Sequence, residues 1–142
     1  MKIYNKRAKF DYKLEDKTYE AGISLSGGEA RAVRTGHLDL SQSHSRIMNG
    51  EAFLINANIP VTGAKLQSTR ARKLLLHKHE IVSILTKMKQ RKLTLVPIKM
   101  YTKGRLIKVE LSLGKTKRKF EKKDLIKKKD IQREVERELR QK

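Results

Sequence analysis

A chain of 142 residues is long enough for one compact domain with appendages and too short for two ordinary domains. Its 35 Lys and Arg against 15 Asp and Glu give a formal charge of +20, which points to a polyanion; nucleic acid ranks ahead of a membrane surface, because neither a bulky aromatic amphipathic helix nor a lipidation motif is evident. The lack of cysteine excludes disulfides, cysteine–zinc sites and thiol catalysis together, and no signal peptide or apolar stretch of about 18 residues is readable, so a cytoplasmic protein without a membrane span is expected.

From Phe10 to Leu25 apolar residues alternate through Phe10, Tyr12, Leu14, Tyr19, Ala21, Ile23 and Leu25, the period of a strand. Glu15-Asp16-Lys17 marks a bend or a break. Ser26 can cap a short helix with Glu29 reaching back, and Gly36 can end it. Asn49-Gly50 is a strong hairpin signal between two β-like runs from Ser45 to Ile59, with Ala52 and Leu54 on one face and Phe53 and Ile55 on the other. Residues 60 to 70 lack a sustained period and read as a loop, a place that often carries function.

Ile81, Ile84, Leu85 and Met88 then recur at helical spacing and predict a core-facing helix from about Lys78 to Gln90, with His77 and Glu80 at capping-box spacing. A second hairpin follows: Thr94 to Tyr101, a turn at Thr102-Lys103-Gly104, and a return through Ile107, Val109, Leu111 and Leu113, alternating with Lys108, Glu110 and Ser112. Beyond Gly114 apolar content collapses, and residues 115 to 142 hold 13 Lys and Arg against 6 Asp and Glu. No core can form there. A helix from about Asp130 to Lys142, with Ile131, Val135 and Leu139 four apart, would be marginal alone, so the tail is expected to be disordered when free and helical when bound.

The fold class expected is mainly β: an antiparallel, OB-like (oligonucleotide-binding) barrel over 1–113 with two to three helices, and a basic tail over 114–142. The periods alone also admit another α+β meander.

Several clusters suit RNA. Asn5, Lys6 and Arg7 precede the first strand and either wrap a phosphate backbone or form a solvated terminus. Arg70, Arg72 and Lys73 end the irregular loop, where they could bind phosphates from one surface or line a solvated strand entry. Leu74-Leu75-Leu76 in a half-buried strand must send one leucine outward, to pack on a ribose or base, unless the helix start buries all three. Glu20 could orient arginines or accept from base amino groups, or simply sit on a wet strand face. Phe120 lies between Lys117, Arg118, Lys122 and Lys123, an arrangement for stacking on a base or for docking weakly on the barrel. His77 and His79 would point apart on a helix, the four histidines form no metal set, and no nucleophile elbow, phosphate loop or dinucleotide fingerprint appears. Neither an enzyme nor a metal or cofactor site is expected.

The ordered string of local features resembles the SsrA-binding protein (small protein B) family along nearly the whole chain. It is carried by Asn5-Lys6-Arg7-Ala8, Tyr19-Glu20-Ala21-Gly22-Ile23, Gly28-Glu29 with Arg34 and Gly36, Asn49 to Leu54, Thr69 to Lys78, Thr94 to Tyr101 and Lys108 to Leu111. The resemblance implies binding of the tRNA-like domain of transfer-messenger RNA (tmRNA) and, through it, ribosome rescue by trans-translation. It assigns Asn5, Glu20 and Leu75 to the RNA face; the basic clusters read above add Lys6, Arg7, Arg70, Arg72 and Lys73. It also implies a tail entering the decoding centre and messenger channel of the ribosome through Lys117, Arg118, Phe120, Lys122, Lys123, Lys127, Lys128 and Lys129. Delivery with elongation factor Tu and GTP, and a monomer when free, belong to the same expectation.

The chain also departs from the family. The 60–70 loop is short, Thr116-Lys117-Arg118 stands for a Gly-Lys-Lys motif, Glu121-Lys122-Lys123 for Asp-Lys-Arg, Phe120 for a histidine, and His44 for a tyrosine. A ribosomal protein or an initiation-factor-like RNA binder is the competing reading; it explains the charge and the barrel but not the ordered motifs.

Overall fold

The computed structural model describes residues 1–61, 63 and 67–140, without the side chains of 119–121, 124, 125 and 138–140. Among these residues seven strands and four helices follow in the order β1 (Lys2–Tyr4), α1 (Ala8–Asp11), β2 (Tyr12–Ile23), α2 (Gly27–Arg34), β3 (His44–Met48), β4 (Glu51–Ile55), β5 (Arg72–Leu75), α3 (Lys78–Arg91), β6 (Thr94–Lys103), β7 (Leu106–Thr116) and α4 (Lys119–Arg140). The strand pairings, all antiparallel, run β6-β3-β4-β5-β2-β7 and return from β7 to β6, while β1 pairs with Lys99 to Tyr101 of β6 on the edge that meets β3 at Leu95. This closed ring is the mainly β, OB-like arrangement that the sequence predicts, with four helices in place of two to three.

Local chemistry accounts for most elements. Asn49 and Gly50, at φ 51° and 75°, form the two-residue turn between β3 and β4, a conformation that opposes the twist penalty of ordinary turns. Ser26 Oγ accepts the Glu29 N–H at 3.2 Å while Glu29 Oε1 accepts the Ser26 N–H at 2.9 Å, the reciprocal cap expected for α2. Ile81 and Ile84 bury the inner stripe of α3, and the Glu80 carboxylate accepts the His77 N–H at 3.2 Å. The register of β2 against β7 shifts between Leu14 and Thr18, so the charged break at residues 15–17 is a bulge in one long strand.

Several expectations change. The strand expected from Phe10 starts at Tyr12 as β2, because Phe10 lies in the single turn α1, closed by the Asp11 N–H on Arg7 O at 2.8 Å, and Asn5, Lys6 and Arg7 follow the short strand β1 instead of preceding the first strand. β7 stays paired through Thr116, three residues beyond the expected domain end at 113. The tail helix begins at Lys119 rather than near Asp130. His77 and His79 stack at 5.5 Å, since His77 sits before the first helical residue and helical spacing does not separate them. The loop expected over 60–70 contains no helix or strand among its described residues, and 62 and 64–66 lie outside them.

The core runs through the ring interior: Tyr19, Ala21, Leu54, Leu74, Leu95, Met100, Val109, Leu111 and Leu113, with Val33 from α2 and Ile84 from α3. Each strand sends alternate residues inward, so the other half faces out in rows that cross the strands. Those rows carry the candidate site.

Candidate nucleic-acid interface

On the outer face of β2, β5, β6 and β7, cross-strand partners line up. Leu75 lies opposite Gly22, Gly22 opposite Lys108, and Lys108 opposite Tyr101. The next row runs Glu20, Glu110 and Lys99. Leu75 is 56% exposed, which resolves the three-leucine ambiguity: Leu74 is buried in the core, and Leu75 turns outward. A Cβ on Gly22 would stand 3.3 Å from Leu75 Cβ, so the missing side chain lets the leucine lie across β2.

Glu20 stands beside this leucine. The Tyr101 hydroxyl donates a short hydrogen bond to its Oε2, and Lys103 Nζ reaches Oε1 at 3.4 Å. The Tyr101 bond, opposed by desolvation and assisted by Lys103 and Lys108, holds the Glu20 carboxyl below its ordinary range. Desolvation first, and then the Glu20 carboxylate, raises the Tyr101 phenol, so the donor stays protonated. The result is a fixed carboxylate acceptor next to an apolar side chain and a rim of lysines, a combination suited to base amino groups, riboses and phosphates.

The predicted arginines divide. Arg72 is fully buried, donating from Nε to Glu29 Oε2 at 2.7 Å, from Nη1 to Ala57 O at 2.8 Å and Arg70 O at 3.1 Å, and from Nη2 to Ser68 O at 2.9 Å. Its expected role on phosphate is thus corrected: no phosphate reaches a guanidinium enclosed on every side. It ties together both ends of the 60–70 loop. Arg70 also spends its guanidinium on Glu29, with Nε at 3.1 Å from Oε2 and a short bond from Nη2 to Oε1, though its side chain remains partly exposed. Burial pushes the Glu29 carboxyl up, but hydrogen bonds from Arg70, the Ser26 N–H and Arg72 outweigh it and lower it to about 2. Lys73, on the opposite side of β5, points outward with a loose 3.4 Å contact to Glu51.

At the N-terminus Asn5 is buried; its Nδ2 donates to Pro97 O at 2.9 Å and its Oδ1 accepts the Arg7 N–H at 3.1 Å. It therefore shapes the turn that presents Lys6, exposed, and Arg7, half-exposed. Arg7 pairs with Asp11 at 3.1 Å and lies 5.4 Å from the centre of the Phe10 ring. The other oxygen of Asp11 holds Lys122 at 3.1 Å, so one carboxylate links this N-terminal turn to the tail.

The model of the SmpB protein family matches residues 2–141. The chain belongs to the SmpB family. SsrA-binding proteins of Rubrobacter xylanophilus and Shouchella clausii are 40% and 42% identical to it, each alignment covering 96% of this chain and 93% and 90% of the relative. That of Sulfurihydrogenibium sp. is 43% identical, over 96% of this chain and 91% of its own. A solved chain described as "tmRNA-SmpB: a journey to the center of the bacterial ribosome" is 41% identical, with a TM-score of 0.68, over 83% of this chain and 85% of that one.

In this SmpB-family chain, Lys117 and Lys122 anchor the start of the tail: Lys117 Nζ donates to Lys9 O at 2.7 Å and its N–H to Asp11 O at 2.9 Å. Arg118, Lys123, Lys127, Lys128 and Lys129 are exposed, and the stacking expected of Phe120 lies outside the described side chains. Among the described residues no helix is long and apolar enough to cross a membrane. Tyr101, Lys99 and Lys103 are not among the site residues that the sequence points to: the first two stand in the run from Thr94 to Tyr101 and the third in the turn that follows it. Their i, i+2, i+4 spacing puts them on one face of β6 once that strand runs through Lys103. The missing information was the register that sets this face beside Glu20.

Proposed function

We propose that this chain binds the tRNA-like domain of tmRNA and brings it to stalled ribosomes for trans-translation. Family membership over residues 2–141 carries the reading, and the Glu20–Leu75 face supplies a physical means for it. Leu75 packs on a ribose or base, Glu20 accepts from a base amino group, and Lys6, Arg7 and Lys73 take phosphates. Asn5 and Arg70 position the segments that carry these groups, and Arg72 holds the loop from within. The role is that of a cytoplasmic RNA-binding protein rather than an enzyme, monomeric when free, with the loaded RNA delivered by elongation factor Tu and GTP.

The tail is the ribosome-sensing part in this proposal. Ile126, Ile131 and Val135 are 48%, 61% and 49% exposed on α4, so these three side chains add little packing to hold a helix that is marginal in isolation. It is disordered when free and takes the α4 form in the decoding centre and messenger channel, where Lys117, Arg118, Lys122, Lys123, Lys127, Lys128 and Lys129 face RNA phosphates and Phe120 stacks. Its 22 residues, at about 1.5 Å each, reach about 33 Å, more than the roughly 20 Å of a helix starting near Asp130.

The test is a competition assay in which the tRNA-like domain of tmRNA is measured against an equal excess of ordinary tRNA across salt concentrations. Phosphate attraction alone falls with salt and does not discriminate. A preference retained at physiological salt is the expected result; loss of all preference would leave a generic basic RNA binder and favour a ribosomal-protein role.

A further inference from the structure

We propose that the RNA-contacting face extends past Glu20, across β7 and β6 to the edge strand β1, where the Tyr4 ring stacks an unpaired base of the same RNA and Lys2 meets its phosphate. The proposal rests on the tmRNA reading above and adds a contact that the Glu20–Leu75 site does not include. Register places it there: Tyr4 lies opposite Lys99, Lys99 opposite Glu110, and Glu110 opposite Glu20, while Lys2 lies opposite Tyr101. The row from Glu20 to Tyr4 crosses three strand spacings, about 14 Å at roughly 4.8 Å each.

An exposed tyrosine on an edge strand is ordinary by itself. Here three further observations converge. Tyr4 is 57% exposed, yet its ring is held: Lys99 Nζ lies 5.8 Å from its centre and 5.4 Å from that of Tyr101, and is tethered to Glu110 at 3.2 Å. β1 is pinned at both ends, by the Asn5 N–H on Ile98 O at 2.7 Å and by the Thr102 N–H on Met1 O at 3.1 Å. Its platform therefore needs little ordering on binding. Lys2 and Tyr4 project to the same side at i and i+2, both exposed, with Ile3 turned the other way. An aromatic face with a cation one step along the strand is the arrangement that takes a single nucleotide, ring on base and ammonium on phosphate.

The experiment measures affinity of the full chain for the tRNA-like domain across salt concentrations, for wild type, Tyr4→Ala, Tyr4→Trp, Lys2→Met and, as a control on the neighbouring site, Leu75→Asp. Tyr4→Ala is expected to weaken binding about five- to a hundredfold with an unchanged melting temperature, and Tyr4→Trp to restore it. Lys2→Met is expected to lower the salt slope by just under one. If Leu75→Asp loses binding while Tyr4→Ala stays within twofold of wild type, or if Tyr4→Trp is as weak as Tyr4→Ala, the stacking site is wrong and the tmRNA reading stands. If wild type shows no preference for the tRNA-like domain over ordinary tRNA, the underlying reading fails and this proposal falls with it.

Discussion

Removing the Glu29 carboxylate tests the argument that the loop arginines form an internal anchor. In Glu29→Ala the Arg72 guanidinium stays fully buried and retains its carbonyl partners Ala57, Arg70 and Ser68, but nothing balances its charge. Deleting one partner of a buried ion pair costs about 3–5 kcal/mol. A second route gives a similar size: holding the carboxyl at about 2 instead of 4.5 is worth about 3 kcal/mol at neutral pH. Because the folded state lowers this group, its contribution is complete above about pH 4.5 and is lost as pH falls toward about 2. Urea unfolding followed by circular dichroism at neutral pH, and in steps down through that window, measures both effects. Wild type should lose stability on acidification more steeply than Glu29→Ala. A neutral-pH loss below about 1 kcal/mol would place the pair in a solvated setting and refute the anchor.

Other substitutions separate binding from folding. Leu75→Asp, at a side chain 56% exposed, should leave the melting temperature unchanged while weakening tRNA-like-domain binding about ten- to a hundredfold, since burying a leucine contributes about 1.5–3 kcal/mol; equal binding would remove Leu75 from the interface. Tyr101→Phe deletes the hydroxyl bond to Glu20, so carbon-13 NMR should find the Glu20 carboxyl moved up toward its ordinary value; no movement would show that the lysines alone hold it. Asp11→Asn should loosen both Arg7 and Lys122 and speed hydrogen exchange at the start of α4; unchanged exchange would mean that the Lys117 bonds suffice. Truncation after Thr116, the last paired residue of β7, should spare RNA binding and abolish tagging on stalled ribosomes, and persistent tagging would end the proposed role of the tail.

Sequence alone determined the elements whose causes are local. The Asn49-Gly50 turn, the Ser26 and Glu29 cap, the α3 stripe and the alternation from Ile107 to Leu113 each arise from residues a few positions apart, acting through backbone preference or one period of burial. The excess of positive charge likewise needs no fold to be read. Tertiary structure decided what depends on partners far along the chain. Arg70, Arg72 and Lys73 look alike as a basic run, yet Arg72 is drawn inside by Glu29, 43 residues earlier, Arg70 is held at the edge of the same pair, and Lys73 faces solvent. Glu20 and Tyr101 meet across 81 residues because β2 and β6 both pair with β7 in one register. A one-residue slip in either pairing would put Tyr101 and Glu20 on opposite faces of the sheet. A side chain's own chemistry sets what it can bind; register and burial set whether it can reach a ligand at all.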